Sequence, residues 1–353
     1  VAAQPPLAPF RPFTVFYYYH PQELILDARW YDKSANWVRL AVLLGTGIAG
    51  SIVAMELANA GLKVVGLERG RMVDPQHEFA MPYAHDELKF DRHSDIFQDL
   101  SRETITFRNK SGETALPIRE LGSFKPGEIV GGTAAHWGCH ARRFLPEEFA
   151  LRSATEAKYG KGVFPEDCTS QDWGLTYDEL EPYYDQFEHI YGVGGKAGNI
   201  DGVKQPGGNP FEGPRSREFP NPQTRRTPAG EIFAKAVESL GYTPFQNPSA
   251  AQSQPYVNLY KQHLGECLRG GFCGSHACSQ GAKGSPLSAV IPALLKQENY
   301  ELRPLCNVIK VNLDSDGKRA TGVTYIDARG RMIEQPADIV VLATYTFNNN
   351  RLL

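Results

Sequence analysis

The chain has 353 residues, six cysteines and a formal net charge of −3. This charge excludes a strong overall attraction to nucleic acid or to an anionic membrane surface. No apolar run reaches the roughly 18 residues of a membrane span. Six cysteines are too few for a disulfide scaffold in a chain of this length. The length is sufficient for two domains. Residues 1–38 are rich in proline and aromatic residues, lack the features of a signal peptide, and are predicted to be an N-terminal arm of unassigned structure.

A complete βαβ dinucleotide-binding unit is predicted from Arg39 to Gly70. The apolar run from Leu40 to Leu44 predicts the first strand, and the helix that follows is predicted to end at Gly61. The segment from Lys63 to Leu67 predicts the second strand. The glycine-rich turn between the first strand and the helix is therefore in the context that a dinucleotide fingerprint requires.

Each glycine of this turn has a physical role in the fingerprint. Gly45 allows the tight turn from strand to helix, Gly47 leaves room for a pyrophosphate beside the backbone, and Gly50 lets the helix pack closely on the strands. The phosphates are expected to meet the N–H groups at the positive end of the helix dipole, beside Ile48 and Ala49.

The two residues after the second strand bear on which dinucleotide is bound. Glu68 is placed to accept hydrogen bonds from a ribose. The spacing and the tail from Leu67 to Gly70 favour FAD. Arg69 keeps NADP open as an alternative, because an arginine at this point can contact a 2′-phosphate.

A second segment, Glu128 to Phe144, combines flexible backbone with reactive side chains in one loop. Its two glycines give a backbone that can lie against a flat ring system. Further along the loop, one tryptophan supplies an aromatic wall and three side chains are polar or reactive. These residues are Gly131, Gly132, His136, Trp137, Cys139 and His140. Taken alone, the loop is also compatible with a buried turn that holds a hydrogen-bonded histidine.

Residues 151–285 are rich in proline, glycine and tyrosine, which favours irregular segments over regular helices. Within them, Cys267, Cys273 and Cys278 fall in a glycine-rich loop at 264–283. Such loops let several thiolates converge on an iron–sulfur cluster. Two alternatives stay open, namely structural thiols and a zinc site with His276 as a fourth ligand.

Three apolar segments near the end of the chain predict further strands. The segments from Tyr300 to Val311 and from Gly322 to Asp327 alternate around an Asp316-Gly317 turn, and Cys306 is expected in the core. The segment from Asp338 to Leu342 is continuously apolar, as suits the middle of a parallel sheet.

The chain resembles the glucose–methanol–choline (GMC) oxidoreductases, on the branch of bacterial gluconate, sorbitol and FAD-dependent glucose dehydrogenase large subunits. Five segments carry the resemblance in order: GTGIAGSIVAMELANAGLKVVGLERG, VGGTAAHWGCHARRFLPEEF, DWGLTYDELEPYYDQFEHIYGVGG, GAKGSPLSAVIPALL and ADIVVLATYTFNNNRLL. It implies an α/β fold, with a discontinuous Rossmann-type FAD-binding domain at 39–150 and 286–353 and an α+β cap or substrate domain at 151–285. The family's C-terminal His/Asn pair would lie beyond Leu353, so we expect a fragment and name no catalytic base.

The same resemblance implies where the flavin would bind. Gly131, Gly132, Thr133 and Gly138 to His140 would line the isoalloxazine, and Trp137 would be a further residue of the cofactor site. Val308 and Ala343 would lie near the ADP half. The VGG-x-x-x-HW segment is similar to the loop of pyranose oxidases, in which a histidine is bonded to flavin, so His136 is the candidate for a covalent link; non-covalent FAD stays equally open. Related dehydrogenases carry a 3Fe–4S cluster at the cysteine loop, although Gly270 stands where one of their cysteines would be.

The function implied is FAD-dependent oxidation of a hydroxyl group of a sugar, polyol or sugar acid. Electrons would pass to a quinone or cytochrome c acceptor, with a small export subunit as a further partner. The alternatives are a pyranose-oxidase-like enzyme that reduces O2 and a non-catalytic flavin-binding fragment. The resemblance favours the periplasmic face, and the cytoplasm stays open because no signal peptide is visible.

Overall fold

The computed structural model describes residues 40–79, 96–99, 103, 105–108, 110–117, 126–269 and 277–353. The predicted arm at 1–38 lies outside these ranges. The chain divides into two compact units, unit 1 within residues 1–71 and 297–353, and unit 2 within residues 72–296. The predicted domain boundaries at 150 and 286 lie elsewhere and stay a prediction, because compactness does not decide which residues hold a cofactor.

The elements of the described ranges are numbered here in chain order. The helices are α1 (Ile48–Asn59), α2 (Pro75–Glu78), α3 (Pro146–Phe149), α4 (Leu151–Tyr159), α5 (Tyr177–Tyr191), α6 (Pro228–Ser239), α7 (Pro286–Ala289), α8 (Ile291–Leu294) and α9 (Thr346–Leu352). The strands are β1 (Leu40–Leu44), β2 (Lys63–Leu67), β3 (Thr106–Phe107), β4 (Leu116–Pro117), β5 (Asn199–Ile200), β6 (Val203–Lys204), β7 (Tyr256–Val257), β8 (His263–Leu264), β9 (Tyr300–Arg303), β10 (Asn307–Leu313), β11 (Ala320–Ile326), β12 (Met332–Pro336) and β13 (Ile339–Leu342).

Unit 1 is built on a parallel sheet with the order β13-β1-β2-β9. The residues of β1 from Ala41 to Leu44 are fully buried, as a run without polar alternation requires when both faces of a strand are covered. On one face, the antiparallel sheet β10-β11-β12 contributes to an apolar cluster of Val42, Leu44, Val65, Leu67, Cys306, Val323 and Tyr325. The predicted α/β, Rossmann-type fold is confirmed in this unit.

Two predictions about the later strands are wrong in detail. The segment predicted as one strand from Tyr300 to Val311 forms two strands in different sheets, because Pro304 interrupts the ladder and Leu305 takes a left-handed φ of +56°. Cys306 is buried as expected but lies in this link. β13 is an edge of the described sheet and is half-buried, whereas its apolar run favoured the middle.

Unit 2 contains more regular helix than its composition indicated. Three helices of nine, fifteen and twelve residues, α4, α5 and α6, lie in the range predicted to be irregular. α5 begins at a capping box in which Thr176 and Glu179 each accept from the other's backbone N–H, and it ends at Gly192 with φ +62°. Gly192 therefore marks the end of this helix, while Pro182 lies within it, so neither residue type excluded a helix here.

The remaining segments of unit 2 are irregular and are held by buried amide side chains. Asn258 donates to the carbonyls of Ile190 and Ala289, and its Oδ1 accepts from the N–H groups of Tyr260 and Gln262. A side chain that makes four such bonds satisfies backbone groups that no sheet or helix pairs. In the described part of the chain, no helix has the length and apolar character to cross a membrane.

Candidate functional site

The glycine-rich turn of unit 1 follows β1 directly and leads into α1. Gly45 has φ +85°, and a Cβ there would lie 2.6 Å from the carbonyl oxygen of Ala343. A Cβ on Gly50 would lie 2.0 Å from the carbonyl oxygen of Gly45. The fold itself therefore requires glycine at both positions, the first for the turn and the second for the close packing of helix on turn.

Gly47 differs from the other two glycines of the turn. Its φ of −64° is open to any residue, and a Cβ there would meet no atom within 4 Å in the part of the chain that the structure describes. It is the N-cap residue of α1, where no side chain caps the helix and the first turn carries no acidic residue. The space beside Gly47 fits the pyrophosphate of a dinucleotide. The uncapped N–H groups of Ile48 and Ala49, at the start of α1, fit it as well.

Glu68 lies at the end of β2 and is 7% exposed. Its Oε2 accepts from the backbone N–H of Thr46 at 2.9 Å and from the Thr46 hydroxyl at 2.8 Å, while its Oε1 accepts from the N–H of Gly70 at 2.9 Å. The carboxylate predicted to meet a ribose is thus tied to the glycine-rich turn. A carboxylate has about four acceptor positions, so this one retains capacity for a further donor.

The other residues predicted near the ADP half lie at different points of unit 1. Arg69 is half-buried next to Glu68. Ala343 follows β13 and lies against the turn, where its N–H donates to the carbonyl of Leu44 at 2.9 Å. Val308, in β10, packs against the apolar cluster of the sheet.

In unit 2, the predicted flavin loop begins with two consecutive left-handed glycines. Gly131 has φ +91° and Gly132 has φ +59°, and a short 3-10 helix, Gly132–Ala135, follows. A Cβ on Gly131 would lie 3.0 Å from the side chain of Leu287. Thr133 is exposed, and its hydroxyl accepts from the N–H of Gly127 at 2.9 Å.

The His136-Trp137 pair of this loop is held firmly within unit 2. His136 is 6% exposed, and its ring meets that of Phe97 edge-on with a centroid distance of 4.6 Å. The indole N–H of Trp137 donates to the carbonyl of Gly284 at 2.9 Å, and the Lys283 ammonium donates to the carbonyl of Trp137 at 2.7 Å. These two bonds fix the plane of the indole and the direction of the loop.

The end of the loop runs beside residues 248–252. Cys139 is buried with a left-handed φ of 59°, which is uncommon for a residue with a side chain, and its carbonyl accepts from the N–H of Ala250. Gly138 and His140 are exposed, and His140 forms a bridge with Ser249. The loop therefore offers both buried and exposed groups, with its course set by backbone pairing.

The predicted cysteine cluster is only partly within the described residues. Cys267 and Cys278 are half-buried free thiols, whereas Cys273, His276 and Gly270 lie outside the described ranges. Among the residues that the structure describes, no group of three or more His, Cys, Asp or Glu side chains could hold a metal ion. The 3Fe–4S cluster thus stays a prediction.

Two of these features were not predicted from the sequence. The bond between Thr46 and Glu68 joins two parts of the fingerprint, but the motif assigns no role to its second residue. Lys283 lies in the segment GAKGSPLSAVIPALL, which carries the family resemblance, but no structural role was predicted for it. It is only 7% exposed, which its charge does not suggest. A lysine surrounded by glycine and alanine in GAKGSP was the available signal.

Comparison with known proteins agrees with this geometry. A family model described as GMC oxidoreductase matches residues 170–353. The chain is 45% identical over 316 residues to the gluconate 2-dehydrogenase flavoprotein of Pantoea cypripedii, covering 89% of this chain and 51% of that protein. It is 26% identical over 331 residues to the fructose dehydrogenase large subunit of Gluconobacter japonicus, with 88% and 53% covered. The chain thus spans about half the length of the curated relatives it matches.

Among solved structures, the chain is similar to an FAD-dependent oxidoreductase from Chaetomium thermophilum. The TM-score is 0.51 at 16% identity, and the match covers 89% of this chain and 47% of the other. At this identity the likeness shows a shared fold and nothing further.

Proposed function

Because this chain belongs to the GMC oxidoreductase family, as its resemblance indicated, we propose that it binds FAD and takes part in oxidising a hydroxyl group of a sugar, polyol or sugar acid. Flavoprotein relatives support FAD over NADP as the cofactor. When bound, FAD supplies the hydride-accepting chemistry for the CH–OH group. Residues 39–150 and 286–353 are the proposed FAD-binding part of the chain, and 151–285 the proposed substrate part.

The open space beside Gly47 is the observation that carries the proposal. Gly45 and Gly50 are explained by the turn and by helix packing, but nothing among the described residues requires Gly47 to lack a side chain. The N–H groups of the first turn of α1 would bind the phosphates, and the dipole of α1 would favour their charge. Glycine at this position makes sense once a ligand passes there.

The test is Gly47→Ala in the full chain, with FAD titrated and its fluorescence followed. The added methyl group meets no atom of the described residues within 4 Å, so we expect unchanged unfolding and FAD binding weakened by about tenfold or more. Gly112→Ala is the matched control, since its Cβ would also meet no described residue within 4 Å and its φ is not in the left-handed region. Wild-type FAD affinity in Gly47→Ala would contradict the site.

The class of substrate is proposed from the names of the relatives, which act on gluconate and fructose. Reduction of an artificial electron-accepting dye with gluconate or fructose as donor tests it, with Gly47→Ala as a control whose activity should require more added FAD. If the natural acceptor is a quinone or a cytochrome, we expect turnover with the dye and little peroxide. Peroxide formation at a comparable rate would favour the oxidase, and bound flavin that no donor bleaches would favour a non-catalytic fragment.

Two finer features of the cofactors are also proposals. The buried His136, beside two left-handed glycines, is the candidate for a covalent flavin link; flavin colour in an acid-precipitated pellet, lost in His136→Ala, would support it. The free thiols of Cys267 and Cys278 are candidate ligands of a 3Fe–4S cluster, together with Cys273. Iron content and broad visible absorption that disappear in Cys278→Ser would support the cluster, and iron-free protein would exclude it.

A further inference from the structure

Tyr300, the first residue of β9, lies with its hydroxyl over Gly66 of the neighbouring strand. Val64 of β2 is its partner in the sheet, and the ring extends along β2. A Cβ on Gly66 would lie 2.5 Å from the Tyr300 hydroxyl oxygen and 3.2 Å from Cζ. Glycine inside a strand usually marks a close approach, and here Gly66 makes room for the end of the tyrosine ring.

The Tyr300 hydroxyl is buried and has no hydrogen-bond partner among the described residues. Buried side-chain hydroxyls in native proteins are nearly always hydrogen-bonded, because losing the bonds to water without replacement is costly. A phenylalanine would fill the same space without this cost. A ligand-bound state that supplies a partner for this hydroxyl would explain why the residue is a tyrosine.

Glu68 is the charged group that acts on this hydroxyl. It follows β2 directly, and because strand side chains alternate, it lies on the same side of the chain as Gly66, about 6.6 Å further along. Burial and the negative charge of Glu68 both raise the pKa of Tyr300, so the hydroxyl stays protonated and can act only as a donor to a carboxylate. Oε1 of Glu68 accepts from the N–H of Gly70, while Oε2 carries both bonds from Thr46.

We infer that Tyr300 is a positioning residue of the dinucleotide site, whose hydroxyl donates to the Glu68 carboxylate when that carboxylate engages the ribose of FAD. This inference rests on the proposed function. While Thr46 holds Glu68, the Tyr300 hydroxyl has no hydrogen-bond partner among the residues that the structure describes. A ribose that draws Glu68 away from Thr46 gives the hydroxyl its acceptor, so the cost of the buried hydroxyl falls on the free protein and favours the bound state.

Tyr300→Phe in the full chain tests this inference, because it removes one oxygen and keeps the ring. Without ligand, the variant should unfold at the same or a higher denaturant concentration than wild type. Its Kd for FAD should rise about 5- to 10-fold, as for the loss of one hydrogen bond. ADP, which carries the same ribose, should show the same loss.

Tyr256→Phe is the matched control, since the Tyr256 hydroxyl already donates to the carbonyl of His189 at 2.9 Å in unit 2. This variant should lose stability without ligand and keep its FAD affinity. The opposite signs of the two tyrosine variants separate a hydroxyl reserved for the ligand from one that supports the fold. Equal FAD affinity of Tyr300→Phe and wild type would overturn the inference and leave the proposed function standing.

A double-mutant cycle with Glu68→Gln tests whether Tyr300 acts through Glu68. If it does, Tyr300→Phe should change the FAD Kd less than twofold in the Glu68→Gln background. An undiminished effect there would mean that the hydroxyl contacts the ligand independently of Glu68, which overturns the positioning role. Failure of wild type to bind FAD or ADP would overturn the proposed function as well, so the two failures are distinguishable.

Discussion

In unit 1 the fully buried residues are mainly strand aliphatics such as Val42, Leu43 and Leu44, whereas in unit 2 the fully buried side chains include Arg215, with Glu188 at 1% exposure beside it. The core of unit 1 depends on apolar surface withdrawn from water, a non-directional term. Unit 2 has an apolar core as well, around residues such as Ile129 and Ile291, but it also buries charges that are stable only while each has its partner. The same kind of substitution should therefore have different consequences in the two units.

A network of buried charges in unit 2 is centred on Glu188 of α5. Arg143 donates to both Glu188 oxygens, at 2.8 and 3.0 Å, and Arg215 donates to Glu188 and, at 3.1 Å, to Glu212. Burial alone would lower the pKa of Arg143, but the hydrogen bonds and charge of Glu188 outweigh it and raise the pKa. Because Arg143 follows His140 by three residues, the network also anchors the end of the proposed flavin loop to α5.

Glu188→Ala should have the largest effect on stability. It leaves two buried guanidinium groups without their shared carboxylate, and breaking such a pair costs about 3–5 kcal/mol. We expect a fall of that size in the free energy of unfolding of unit 2, measured by hydrogen exchange of α5 amides across a urea series. A loss below about 1 kcal/mol would mean that water or Glu212 takes over the pairing.

Glu301→Ala in unit 1 is the matched control for that variant. Glu301 accepts two bonds from Arg303, both at 2.7 Å, so the bidentate geometry is the same, but the Glu301 side chain is 58% exposed. An exposed pair contributes about 0–1 kcal/mol and is screened by salt. The Glu301 effect should fade at high ionic strength, while the Glu188 effect should persist.

Leu44→Ala gives the corresponding change in the apolar core of unit 1. Leu44 is fully buried between the two sheets, and deletion of a buried leucine side chain costs about 2–4 kcal/mol through lost apolar contact and the cavity that remains. Leu240→Ala, at a position that is 72% exposed, is the control and should change stability by less than about 0.5 kcal/mol. Salt should leave the Leu44 effect unchanged, which distinguishes it from the charge network.

This contrast explains which parts of the fold were predictable. β1, α1 and β2 follow from residues that are close in sequence, and the glycines at 45, 47 and 50 act within six positions of one another. Local pattern is enough where the contacts are local or follow from a strand's period. The break between β9 and β10 was missed because apolar residues continue to alternate with polar ones on both sides of Pro304 while the chain changes sheets.

The flavin loop of unit 2 was identifiable only by its resemblance to a family. The partners that fix its course, Lys283 and Gly284, are more than 140 residues away in sequence. Arg143 and Glu188 are 45 residues apart, and no periodicity links them. From sequence alone a charged residue is expected to be exposed, because most are. The burial of the network therefore could not be inferred without the structure.

The smallest effect concerns how helices begin in the two units. α5 is capped by Thr176, whose hydroxyl accepts from the N–H of Glu179, whereas α1 begins at Gly47 without a side-chain cap. Thr176→Ala should lower the free energy of opening of α5, measured by hydrogen exchange of its amides, by about 1 kcal/mol. Gly47→Ser should stabilise the free protein by only a few tenths of a kcal/mol, since glycine is itself an acceptable N-cap.

The informative result is whether Gly47→Ser raises or lowers the free energy of unfolding, measured first without FAD and then with FAD. A serine cap would hydrogen-bond the N–H groups at the start of α1 that a phosphate needs, so the variant should be more stable alone and bind FAD more weakly. Thr176→Ala should lower stability equally with and without FAD. If Gly47→Ser bound FAD as wild type does, the uncapped start of α1 would be a structural accident, and the difference between the two helices would have no bearing on ligand binding.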